Sequence, residues 1–99
     1  MAALVVIGPG DPGDPDWVEA RSVTEIAELA RAGRTVAVTP AALAGHAEEA
    51  AELAVAAVCV WAGARVLRTT RPGPVRQAAE MADALAGRRP PALTRRGLA

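Results

Sequence analysis

From residue 53 to residue 61 the chain reads Leu-Ala-Val-Ala-Ala-Val-Cys-Val-Trp, nine residues without a charge inside a run of helical character. A helix that is apolar all round has to be covered all round. One side of this run can lie on a sheet, and the other side needs a second neighbour. The residues that follow indicate the kind of sheet. Gly63 supplies a helix exit, residues 64–67 (Ala-Arg-Val-Leu) read as a short strand running into Arg68, and Arg71-Pro72-Gly73-Pro74 forms a stiff turn into another helix. That helix carries Val75, Ala78, Ala79, Ala82, Leu85 and Ala86 on one stripe, and Gly87 closes it.

The same rhythm runs through the first half of the chain. Residues 3–7 (Ala-Leu-Val-Val-Ile) predict a strand buried on both faces, bounded by Gly8-Pro9-Gly10. Residues 8–21 predict a loop, because Pro9, Pro12 and Pro15 each bar a regular ladder or helix. Ser22-Val23-Thr24-Glu25 is a capping box, after which Val23, Ile26, Ala27 and Ala30 recur at helical spacing up to Gly33. Residues 35–38 (Thr-Val-Ala-Val) predict a second buried strand. Thr39 as N-cap and Pro40 at the first helical position then open a helix that runs to about Ala62, with His46, Glu48, Glu49 and Glu52 on its exposed side. The order βαβαβα predicts an α/β fold. It has three βα units on a short parallel sheet, resembling a partial (β/α)8 barrel or a Rossmann-like layer. One domain is expected over residues 1–87, with residues 88–99 as a flexible basic tail. The loops after the strands share one edge, the usual place for a ligand in such folds.

Size and charge narrow the partners. A chain of 99 residues with two Trp and no Phe or Tyr builds a thin core, which favours association with another surface. Residues 1–55 hold nine acids and three arginines, and residues 56–99 hold two acids and eight arginines, so the halves carry −6 and +6. The halves can neutralise each other within one fold, or the basic half can meet an anion or an acidic partner. The arginines lack interleaved aromatics, which argues against nucleic acid. The single Cys59 excludes an internal disulfide and sits where a buried, inert thiol is the default. With no basic leader at the start and an apolar run too short to span a bilayer, the chain is expected to be cytoplasmic with no membrane partner.

The motifs are sparse. Gly8-Pro9-Gly10-Asp11-Pro12-Gly13 matches G-x-G-x-x-G after a strand, but its prolines remove donors and no helix opens there, so a stiffened loop is expected. His46 and Glu49 share a helical face without the further ligands a metal needs, and Asp11, Asp14, Asp16 and Glu19 lack calcium-loop spacing. Arg68, Thr69, Thr70 and Arg71, with Thr39 from the neighbouring loop, are the candidate anion-binding set: two guanidiniums, hydroxyls and a helix start can hold a phosphate. The alternative is that these arginines pair with the acidic first loop or cap the barrel-like edge. Leu53, Val55, Ala56, Val58, Val60 and Trp61 are the candidate interface, for a second copy or a larger protein partner. No catalytic residue, metal or cofactor is indicated.

The stretch from Leu4 to Leu85 resembles the C-terminal third of a dihydropteroate synthase, a pterin-binding (β/α)8 barrel, in truncated and degenerate form. The likeness rests on Gly8-Pro9-Gly10 after the first strand, Thr39-Pro40-Ala41 after the second, and Gly63-Ala64-Arg65-Val66-Leu67-Arg68-Thr69-Thr70 after an alanine-rich helix. It implies a βα frame, helix-mediated pairing of subunits and an anion-binding role for Arg68. Where the family has its pterin-binding Asp, its Lys and its His, this chain has Gly8, Ala41 and Thr70. The resemblance therefore implies a relic of the frame without the synthase chemistry.

Overall fold

The capping box forms as its residues require. Ser22 Oγ accepts from the amide of Glu25 at 3.1 Å, and the Glu25 carboxylate accepts from the amide of Arg21 at 2.6 Å. The helix it starts is α1 (Val23–Arg31), and it belongs to a series β1 (Val5–Ile7), β2 (Val18–Glu19), α1, β3 (Val36–Val38), α2 (Pro40–Ala44), α3 (Glu49–Ala62), β4 (Val66–Arg68) and α4 (Pro72–Leu85). These elements come from a computed structural model that describes residues 2–45 and 48–88. His46 and the predicted tail beyond Arg88 lie outside the described residues.

The α/β class and the parallel sheet are as the sequence predicts, with one strand more. All pairs are parallel, and the order is β1-β4-β3-β2. The added strand, β2, follows Pro15, the last proline of the first loop. From there the amides of Val18 and Ala20 are free to donate to the carbonyls of Thr35 and Ala37. Consecutive barrel strands pair in chain order, whereas here β1 skips to β4 and lies at an edge, an order compatible with a partial Rossmann-like layer. As an edge strand β1 is only half-buried rather than covered on both faces.

The predicted helix over residues 39–62 is two helices. Gly45 takes the left-handed conformation, with φ of +83°, and its amide closes α2 on the carbonyls of Ala41 and Ala42. The second piece, α3, lies in the middle of a single helix layer between α1 and α4. Val36, Val38 and Leu67 alternate onto that side of the sheet and form one core with Ile26, Ala56, Cys59, Val60, Val75 and Ala79. The opposite face, with Ala37, Val66 and Arg68, is crossed by the loop of residues 8–17. A Cβ on Gly13 would stand 2.7 Å from the Trp17 ring and 3.3 Å from Arg68 Nη2, so loop, ring and guanidinium are tightly layered.

Gly63 shows how closely the helices approach. Its φ is +122°, and a Cβ there would meet the Ala30 Cβ of α1 at 2.6 Å. Neither atom is the end of a flexible side chain, so no local adjustment relieves the clash. Gly63→Ala is expected to lower unfolding stability by about 2 kcal/mol or more in urea denaturation. An unchanged midpoint would show that α1 can move away at little cost.

Candidate functional site

The C-terminal edge of the strands brings together part of the predicted anion set. Thr69 follows β4 and is buried, and its hydroxyl donates to Glu52 Oε2 of α3 at 2.6 Å while accepting from the Arg71 amide at 2.9 Å. Arg71 Nη1 donates to the other Glu52 oxygen at 2.7 Å, and Arg71 Nε lies 3.6 Å from Glu49. Glu52, expected on the exposed side of its helix, is 2% exposed. It falls four residues before Ala56 and eight before Val60, on the stripe that faces the core, and Arg71 and Thr69 satisfy the charge it carries there. Arg68 points elsewhere. Its Nε donates to Glu19 Oε2 at 3.2 Å and its Nη1 to the carbonyl of Asp11.

The two arginines thus engage carboxylates on different elements and do not converge on one position. Arg68 thus pairs with an acid of the first segment. Thr70 is exposed, and Thr39 sits at the start of α2 without a side-chain cap bond. Thr39 instead lines a cavity of about 450 Å³ with Glu19, Ala20, Arg21, Ala42 and Leu43, beyond the ends of β2 and β3.

A second buried pair holds the opposite edge of the sheet. Arg65 and Asp83 form a two-pronged bridge, at 2.7 and 3.1 Å, and Arg65 Nε also donates to the carbonyl of Ala2. Both side chains are less than a tenth exposed. Arg88 donates to the carbonyls of Val60 and Trp61, closing the end of α3, and so belongs to the fold rather than to a tail. Among the described residues no buried side-chain nitrogen or oxygen is left without a partner. Burial pushes the Cys59 thiol up to about 11, so at neutral pH it stays protonated and a poor nucleophile.

The predicted interface set divides. Ala56 and Val60 are fully buried in the domain's own core, and Leu53 and Val55 are half-buried against it, because α1, α4 and the sheet already cover three sides of α3. Val58 and Trp61 remain outside, 50% and 57% exposed. Met81 and Leu85 of α4, absent from the predicted set, are 61% and 69% exposed beside them. Together they rim a groove of about 440 Å³ whose other lining is Ala57, Ala78 and Ala82. Among the described residues no helix is long and apolar enough to cross a membrane. Comparison of the chain with family models, curated proteins and solved structures found no match.

The Arg65–Asp83 pair makes a measurable prediction. Asp83→Ala leaves a buried guanidinium without its carboxylate and is expected to cost about 3–5 kcal/mol in denaturant unfolding. Replacing both partners, as in Arg65→Met with Asp83→Leu, should cost clearly less than the single change. Equal losses would mean that the pair contributes by packing alone.

Proposed function

We propose that the chain is a non-enzymatic interaction protein that works by burying the outer face of α3 and α4 against another protein surface. The observation that carries this is the contiguous exposure of Val58, Trp61, Met81 and Leu85 over an alanine floor. Large apolar side chains gathered in one patch mark interaction surfaces, and aromatic anchors in well-packed pockets supply most of the energy at interfaces. The polar residues at the strand edge hold one another, which supports a structural use for them. The resemblance to the synthases is one of local sequence, and Gly8, Ala41 and Thr70, standing where that family has its pterin-site Asp, Lys and His, support a reading without that chemistry. A cytoplasmic setting fits a chain whose single cysteine is a buried free thiol.

The double substitution Val58→Glu with Met81→Glu tests the face. Both sites are exposed, so unfolding stability should change by less than about 1 kcal/mol. In native extracts the unaltered chain should elute well above the size of a 10.1 kDa monomer, and the variant should shift to the monomer position. Identical elution of the two would remove the reading.

A second reading is a small module for a phosphate-bearing or pterin ligand. The cavity beyond β2 and β3 favours it, because ligands of parallel sheets bind outside the strand ends and Arg21 and Thr39 both line the space. Calorimetry with inorganic phosphate, pyrophosphate and a pterin should then show heat that Arg21→Ala abolishes. No heat with any of the three at about millimolar concentration, well above an ordinary ligand affinity, would rule it out.

A further inference from the structure

We infer that the cavity beyond β2 and β3 binds a small zwitterion of the amino-acid type, with its carboxylate on Arg21 and its ammonium group on Glu19. This requires the cavity to be a ligand site, as in the second reading above, but not the phosphate or pterin considered there.

The strand register puts the charged groups on one side. Glu19 stands opposite Ala37, on the sheet face away from α3. Side chains alternate along a strand, so Arg21 and Thr39, each two residues further on, return to that side. Ala20, between Glu19 and Arg21, turns into the core. All four line the cavity, together with Ala42 and Leu43 of α2. At about 450 Å³ the space is in the range of ordinary small-molecule sites.

Each polar group there has capacity to spare. Arg68 anchors Glu19 through Oε2, and among the described residues Oε1 accepts no hydrogen bond. The Arg21 amide donates to Glu25, but among the described residues the Arg21 guanidinium makes no hydrogen bond or ion pair. The Thr39 hydroxyl makes no cap bond.

These groups discriminate between ligand classes. A guanidinium grips a carboxylate through two parallel hydrogen bonds, and the Thr39 hydroxyl offers one more donor. The free Glu19 oxygen accepts from an ammonium group in the same charge-assisted way. A phosphate dianion meets Glu19 as a like charge, with Arg21 the only cation in the lining. A zwitterion presents the opposite charge to each. Ala20, Ala42 and Leu43 supply an apolar wall for a short side chain.

Calorimetry on the purified chain with L-alanine, acetate, methylamine and inorganic phosphate tests this. L-Alanine should bind with a Kd below about 1 mM. Acetate and methylamine, each meeting one charge, should bind at least about 10-fold more weakly. Arg21→Ala should weaken L-alanine at least about 10-fold and leave the urea midpoint unchanged, because the side chain is exposed and unpaired. Ala42→Trp, at an exposed position of the cavity wall, should fill the space and abolish the heat. L-Alanine bound no better than acetate would overturn the zwitterion, and L-alanine heat untouched by both variants would overturn the site. Phosphate heat that Arg21→Ala removes, with L-alanine silent, would overturn this ligand and leave the second reading standing. No heat from any probe at about 10 mM would overturn both.

Discussion

One buried carboxylate organises the strand edge where α/β proteins usually keep their ligands. Glu52 stands on the core stripe of α3, and its charge cannot be left alone in that position. Thr69 and Arg71 answer it, fixing the turn after β4 and the first residues before α4. The arginine and the hydroxyl that could receive an anion are therefore already committed to an anion of the chain's own. The second arginine, Arg68, is engaged likewise by Glu19 and the first loop, on the face of the sheet opposite α3.

The opposite edge repeats the device with the charges exchanged. Arg65 lies just before β4, and Asp83 reaches it from α4. The two networks clamp both ends of the α3–α4 pair to the same strand. This explains why the helices can present a wide apolar outer face without sliding. Buried ion pairs with good geometry supply registration more than net stability.

Much of the architecture was legible in the sequence because it depends on local rules. The capping box, the glycine exits and the apolar runs give the βα order directly. The strand order was not legible, because pairing of β1 with β4 spans some sixty residues and leaves no local mark. The break at Gly45 had a visible cause, but helix formers on both sides mask it. Glu52 and Asp83 could have been found: each repeats at four-residue steps with buried positions, Glu52 with Ala56 and Val60, Asp83 with Ala79 and Val75. An acid on such a stripe asks for a partner on another element. The exposed face was half legible. Trp61 and Val58 lie in the uncharged run, but the same run gave no sign that Ala56 and Val60 would be claimed by the chain's own core, nor that Met81 and Leu85 would join from α4.

The position of β1 at the far edge of the sheet has a consequence for the order of assembly. Among the described strands β1 pairs with β4 alone, so β1 has no described strand to pair with until β4 exists. The stretch from β2 to β4 can form by successive neighbouring crossovers, each closing a loop of modest length. The first residues must wait through almost the whole chain, and they join only after the Arg65 region is in place to receive the Val5 amide and the Ala2 carbonyl. During synthesis this leaves an uncharged segment, Ala3 to Ile7, uncovered for longer than any other strand, and its docking closes the fold rather than starting it.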